Sequence, residues 1–129
     1  MAATLVEWAE INSGSRNLDG LTEMRARIAD RLEPLADTVS AHGPDPVTTL
    51  DDTGTEIAVS HGANLLARKR PERNRRLILT GHMDTVFATD HPFQQCRRID
   101  ANTLGGPGAA DMKGGLIVMI EALAALEAA

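Results

Sequence analysis

Two side chains in the second half of the chain have the types and the spacing of a small-molecule or metal site. His82 and Asp84 stand two positions apart in ILTGHMDTVF, directly after an apolar run that ends at Gly81. Residues two apart on an extended backbone point to the same side, so the imidazole and the carboxylate can face one cleft. Histidine is a common metal ligand, and a neighbouring carboxylate fixes its tautomer. Taken alone, a His-x-Asp pair is more typical of a strand-end histidine and a turn aspartate that satisfy backbone groups.

Asp111 is the third candidate, at the end of the loop GGPGAAD and just before the last predicted helix. A carboxylate in this place is a favoured helix N-cap, and that role needs no metal. The loop nevertheless contains three glycines and Pro107, which suit the fixed presentation of a carboxylate that bridges two cations. Lys113, two residues further on, is expected at the surface.

Phosphate binding is disfavoured on the same loop. GPGAAD has Asp111 where the dinucleotide fingerprint has its third glycine, and this carboxylate would repel a pyrophosphate. DMKGG lacks the Ser or Thr that follows the lysine of a P-loop, and no glycine stands at the required distance before Lys113.

Composition limits the function classes. The chain has 129 residues, of which 43% are hydrophobic and 24% charged, as expected for one folded domain or part of one. The net charge of -5 disfavours a nucleic-acid partner, and the basic residues from Arg68 to Arg76 are predicted to form a solvated turn. Membrane-length apolar runs and a secretory signal are not found. The single cysteine, Cys96, fits a reducing compartment, so a cytoplasmic location is expected.

The elements that must position these side chains follow from hydrophobic periodicity. Helices are predicted over Thr4–Ile11, over Gly20–Leu35 and from about Met112 onwards. Short strands are predicted between them, around Val39 and at 47–50, 57–59, 65–67 and 77–80, with a hairpin in FQQCRRIDANTL. The run LILT at 77–80 is typical of a strand buried on both faces, and ligands collect beyond the carboxyl ends of such strands. The predicted fold is α/β, with a mixed, mostly parallel central sheet flanked by helices.

GHMDTV, followed after a short spacer by GGPGAADMKGG, resembles the co-catalytic zinc amidohydrolases and exopeptidases. This family includes glutamate carboxypeptidase, acetylornithine deacetylase and succinyl-diaminopimelate desuccinylase. The opening EINSGSRNLDGL is similar to the glutamate-carboxypeptidase-like branch, so the resemblance runs from about Leu5 to the end of the chain. It implies the amino-terminal part of a hydrolase that uses a metal-activated water on amide bonds of small acyl-amino acids or C-terminal amino acids.

Residue by residue, the resemblance makes His82 a ligand of one zinc ion and Asp111 the carboxylate that bridges two. Asp84 becomes the catalytic aspartate beside His82. The resemblance also implies a cis peptide bond between Asp111 and Met112. Zinc is the expected metal at such a His and carboxylate site, with cobalt or manganese as alternatives.

The rest of the family's site has no counterpart in the sequence. The general-base glutamate and the remaining ligands are expected beyond this chain, since Glu121 and Glu127 lie within the last predicted helix. The other histidines match no ligand position and are expected at the surface: His42, His61 and His91. Residues 1–129 are thus expected to be a partial catalytic domain, inactive alone. The lid domain, through which the whole enzyme would form a homodimer, is absent.

The alternative is a truncated, non-catalytic domain that binds metal weakly or serves only for packing and interaction.

Overall fold

Three helices supply most of the core in the computed structural model, which describes all of residues 1–129. They are α1 (Ala2–Glu10), α2 (Leu18–Leu32) and α3 (Gly114–Glu127), as predicted from periodicity. None of them combines the length and apolar character needed to cross a membrane. Each contributes one apolar stripe to a single buried cluster, with Ile11 adding to it just after α1; its members are Trp8, Ile11, Met24, Ile28, Leu116, Ile117 and Ile120.

Polar groups set the two ends of α2. Asn17 is the N-cap, because its side-chain oxygen accepts a hydrogen bond from the N–H of Gly20 at 3.3 Å. The α-helix ends at Leu32, three residues before the predicted end, and continues as a 3-10 turn over Glu33–Leu35. Pro34 causes this change because it has no N–H to donate to the preceding turn.

A two-stranded antiparallel ribbon connects the helical core to the second half of the chain. β1 (Thr38–His42) pairs with β4 (Asn64–Arg68), and β2 (Val47–Leu50) pairs with β3 (Glu56–Val59) in a continuation of the same register. Asp51 closes the ribbon by accepting hydrogen bonds from the N–H groups of Thr53 and Thr55. The strands predicted here are therefore confirmed, as one long hairpin.

The predicted mostly parallel central sheet is not formed by these residues. A third ladder joins β5 (Arg97–Arg98) to β6 (Leu104–Gly105), as the predicted hairpin required, and all three ladders are antiparallel. Parallel pairing is limited to one bridge between Gly14 and Thr85. The run 77–80 forms no ladder, and Leu77 and Ile78 are 80% and 81% exposed. An apolar run becomes a buried strand only where partner strands lie beside it. The four ribbon strands pair with one another and none of them pairs with residues 77–80.

The basic cluster after β4 does more than form a solvated turn. The guanidinium of Arg70 donates two hydrogen bonds to the carboxylate of Glu127 in α3, at 2.6 and 2.9 Å. The N–H of Arg70 also donates to the carboxylate of Asp37, and this hydrogen bond is the main reason why the pKa of Asp37 is lowered. These contacts tie the base of the ribbon to the end of α3. Residues 71–76 are exposed, as predicted for the turn.

The expected surface position of Lys113 is wrong, because its side chain is fully buried. The ammonium group donates hydrogen bonds to the carbonyl oxygens of Trp8 at 2.9 Å and Ile11 at 2.7 Å. The last carbonyls of a helix lack partners within it, and a cation is favourable at this end of the helix dipole. Burial lowers the pKa of Lys113 to about 8. Lys113 thus fixes the end of α1 against the start of α3, two residues from Asp111.

Replacing Lys113 with Met should lower the free energy of unfolding by about 2 kcal/mol, because the buried carbonyl of Ile11 loses its donor and that of Trp8 keeps only the N–H of Ile11, at 3.3 Å. Urea denaturation followed by the fluorescence of Trp8, the single tryptophan, measures this change. The matched control is Lys69→Met, since Lys69 makes only partly exposed ion pairs with Asp37 and Glu127 and should contribute less. Equal losses in the two variants would contradict the role assigned to Lys113.

Candidate functional site

The three predicted site residues lie together on one side of a cavity of about 290 Å³. His82, Asp84 and Asp111 form the polar side, and Phe87 and Phe93 lie among the residues that complete the lining. The two phenyl rings pack edge to face with their centroids 5.0 Å apart. The cavity therefore has a charged wall that could hold a cation or a polarised group, and an aromatic wall that suits an apolar one.

His82 lies between the two carboxylates. Its Nδ1 is 3.1 Å from Oδ1 of Asp84, and its Nε2 is 3.0 Å from Oδ1 of Asp111. Partial burial lowers the pKa of His82, but hydrogen bonds to Asp111 and Asp84 outweigh it and raise the pKa above its ordinary value. Since both ring nitrogens face an acceptor, the space between Nε2 and Asp111 suits a positive charge, either a proton or a metal cation.

The donor atoms at this point suit zinc in type and spacing. Two atoms bound to one tetrahedral zinc ion at about 2.0–2.1 Å lie about 3.3 Å apart. The separation of 3.0 Å between Nε2 of His82 and Oδ1 of Asp111 is close to that value. The number of donors is lower than a complete site needs, because no group of three or more His, Cys, Asp or Glu side chains is placed to hold an ion. His82 and Asp111 alone therefore do not make a complete metal site.

Asp111 does not cap the helix that follows it. α3 begins at Gly114 without any side-chain cap, so the simple N-cap alternative is not met. The loop before it turns at Gly108, whose φ of 69° is in the left-handed region that favours glycine. The N–H of Lys113 donates to the carbonyl of Gly108 at 2.8 Å. The peptide bond between Asp111 and Met112 is cis, as the resemblance implied.

A loop after α1, which we call the clamp loop (residues 12–17), holds the segment that carries His82 and Asp84. The N–H of Thr85 donates to the carbonyl of Ser13 at 2.9 Å, and the N–H of Ser15 donates to the carbonyl of Thr85 at 3.1 Å. The buried hydroxyl of Ser13 donates to the carbonyl of Met83 at 2.7 Å. The clamp loop thus provides the backbone partners that a neighbouring strand would otherwise provide.

The sequence did not indicate two contacts of the clamp loop with the site. The hydroxyl of Ser15 donates to Oδ2 of Asp84 at 2.6 Å. The amide of Asn12 donates to the carbonyl of Phe87 at 3.2 Å and to the side chain of Gln94 at 2.7 Å, which fixes the loop with the aromatic wall. The segment NSGSRN is rich in turn-forming residues, so its sequence predicted only the end of α1. Its contacts with the site could not be predicted from local sequence, because about 70 residues separate it from its partners.

The remaining histidines lie outside the site. The side chains of His42, His61 and His91 are exposed, as expected, and none of them lines the cavity.

Comparisons with known proteins give the family. Residues 78–129, which include all three predicted site residues, match Peptidase family M20/M25/M40. The protein named succinyl-diaminopimelate desuccinylase DapE of Mycobacterium tuberculosis is 31% identical over 118 residues, or 91% of this chain and 28% of that protein. Carboxypeptidase G2 of a Pseudomonas species is 26% identical over 124 residues, or 96% of this chain and 27% of that protein. Residues 78–129 thus match the M20/M25/M40 peptidase family, and the similarity to the two relatives extends over most of the chain.

The chain spans less than a third of the length of the curated relatives that it matches. No solved structure matches it. Both similarity regions to these relatives cover more than nine-tenths of the chain, so they extend well beyond residues 78–129. The clamp loop lies outside residues 78–129, which match the family. Similarity in that part of the chain comes only from the comparisons with the two relatives.

Gly20 is the residue at which the close packing of the clamp loop can be tested. A Cβ at Gly20 would lie 1.8 Å from the carbonyl oxygen of Asn12. Although alanine is the better helix former, Gly20→Ala should lower the free energy of unfolding by about 2 kcal/mol, because the loop must shift. Urea denaturation measures the change. Gly43→Ala is the control, since no heavy atom lies within 4 Å of a Cβ there. A Gly20→Ala variant as stable as the wild type would contradict the packing.

Proposed function

We propose that these residues form the amino-terminal portion of the catalytic domain of a zinc-dependent hydrolase. Its substrates are small acyl-amino acids or peptides, cleaved at an amide bond or at a C-terminal amino acid. The observation that carries this proposal is the meeting of His82 and Asp111, 3.0 Å apart at the wall of a cavity, within the residues that match the peptidase family. The relatives are named as a desuccinylase and a carboxypeptidase, which supports both substrate classes.

Each site residue has one role in this proposal. His82 would hold a zinc ion through Nε2, and Asp111 would be the carboxylate ligand shared by that ion and a second one. Asp84 accepts a hydrogen bond from Nδ1–H of His82, so that the lone pair of Nε2 would be available to the cation beside Asp111. A bound cation of this kind supplies an activated water and polarises a carbonyl group. Cobalt or manganese are alternatives to zinc, since both accept imidazole and carboxylate ligands.

The aromatic wall provides the non-polar half of the site. Phe87 and Phe93 line the same cavity as the carboxylates, and Asn12 holds their loop in place. An apolar part of the substrate would bind there and exclude water from the amide bond. Exclusion of water strengthens the interaction of the charged wall with the reacting group.

The proposal extends to the whole protein. Residues 77–80 would join a mostly parallel central sheet, which fits the high exposure of Leu77 and Ile78 and the lack of hydrogen bonds to this run. Further segments would supply the other metal ligands, the general-base glutamate and a lid domain for a homodimer. We expect neither nucleic acid nor a membrane as partner, given the net charge of -5. A cytoplasmic location fits the single cysteine.

A second candidate function is that of a non-catalytic domain that binds metal weakly or serves for packing. This candidate is favoured for the 129-residue chain alone, because only His82 and Asp111 are placed to bind one cation together. Hydrolysis by the full-length protein separates the two candidates, because only the first predicts it.

The test of the proposed function is the hydrolysis of a panel of N-acyl-amino acids and dipeptides by the full-length, zinc-loaded protein. His82→Ala and Asp111→Ala should each lower kcat/KM at least about 100-fold, because each removes a ligand that holds the activating cation. His42→Ala is the control, since His42 is exposed and lies outside the cavity. Unchanged hydrolysis in both site variants, or none in the wild type, would contradict the proposal.

A further inference from the structure

We propose that Ser15 is a positioning residue of the candidate metal site: its hydroxyl fixes the carboxylate of Asp84, and Asp84 in turn sets the tautomer of His82. The hydroxyl of Ser15 donates to Oδ2 of Asp84 at 2.6 Å. The other oxygen of the same carboxylate, Oδ1, lies 3.1 Å from Nδ1 of His82. The two oxygens of Asp84 therefore have different partners on opposite sides.

The direction of these hydrogen bonds follows from the groups involved. An ionised carboxylate can only accept, so both Ser15 and Nδ1 of His82 must donate to Asp84. With Oδ2 held by Ser15, the carboxylate keeps Oδ1 directed at the ring. The carbonyl oxygen of Asp84 is also 3.1 Å from Nδ1, which adds a second acceptor. Asp84 therefore favours the tautomer of neutral His82 that carries its proton on Nδ1, whereas Asp111 favours the proton on Nε2. Ser15 shifts this balance towards Nδ1 by holding Asp84 against the ring, and a cation between Nε2 and Asp111 would complete the shift.

Ser15 can act in this way because the backbone fixes its position. Its N–H donates to the carbonyl of Thr85 at 3.1 Å, and the preceding Gly14 forms the parallel bridge with Thr85. A Cβ at Gly14 would lie 2.5 Å from the carbonyl oxygen of Phe87, so the clamp loop approaches the site segment closely. A hydroxyl on such a rigid backbone can hold a neighbouring carboxylate in one orientation.

The inference rests on the proposed function in one respect, which is that Nε2 of His82 is a cation ligand. The control of the tautomer by Ser15 can be measured without a metal. The two ideas can therefore fail separately.

Two measurements test the inference on the full-length protein, prepared free of metal. The first is the fraction of neutral His82 that carries its proton on Nδ1, from the ¹⁵N chemical shifts of the ring. The second is the dissociation constant for Co²⁺ alone. Ser15→Ala should lower the Nδ1–H fraction and raise the dissociation constant about 10-fold, at the lower end of the range for residues that orient a metal ligand.

The isosteric pair Ser15→Thr and Ser15→Val separates the hydroxyl from the shape of the side chain. Ser15→Thr keeps the hydroxyl and should retain both wild-type values, whereas Ser15→Val should behave as Ser15→Ala. The pair also supplies the answer if Ser15→Ala does not fold. The control is Ser40→Ala, which removes a hydroxyl 2.9 Å from Nε2 of His42 and should leave the ring of His82 unchanged.

Wild-type values in both Ser15→Ala and Ser15→Val would overturn the inference. If Co²⁺ binding is lost in His82→Ala but unchanged in those two variants, the inference fails and the metal site stands. If the tautomer changes in Ser15→Ala and Ser15→Val while the wild type binds no Co²⁺, the inference is supported and the metal role of His82 fails.

Discussion

The contact between the clamp loop and the segment from Met83 to Thr85 is the interaction on which the site depends. Four hydrogen bonds join Ser13 and Ser15 to Met83 and Thr85, and they fix the backbone that carries His82 and Asp84. This segment is not part of any ladder, and only the single bridge to Gly14 gives it a strand-like neighbour. Without the clamp loop, the imidazole of His82 and the carboxylates of Asp84 and Asp111 would not be held in fixed relative positions.

The helical core supports the clamp loop and the loop that carries Asp111. α1 ends directly before the clamp loop, and Lys113 binds the carbonyls of Trp8 and Ile11 at that end. The same lysine lies two residues after Asp111 and directly before α3. One buried ammonium group thus connects the end of α1, which leads into the clamp loop, to the loop that carries Asp111. Lys113 therefore helps to fix the positions of both His82 and Asp111. The cluster around Trp8, Met24 and Ile117 completes the support by packing the three helices together.

The sequence predicted the local parts of this structure well and the long-range parts less well. Periodicity located all three helices, and the turn residues located the ribbon strands, because both signals are local. The motifs indicated that His82, Asp84 and Asp111 belong together, and the structure places them at one cavity. Lys113 was misjudged because a lysine in a polar loop normally stays solvated, and only the carbonyls at the end of α1 make its burial favourable. Ser15 gave no signal, because its partner Asp84 lies 69 residues away. The run 77–80 has the sequence of a buried strand, but its burial requires partner strands that the ribbon does not provide.

The most direct test of the account is a crystal structure of the protein soaked with zinc, with anomalous diffraction measured at the zinc absorption edge. The account predicts an anomalous peak between the ring of His82 and the carboxylate of Asp111, about 2.0–2.1 Å from Nε2 and from a carboxylate oxygen. Asp84 should remain on the Nδ1 side of the ring and should not contact the ion. A zinc ion bound elsewhere, with the direct contact between His82 and Asp111 unchanged, would contradict the account.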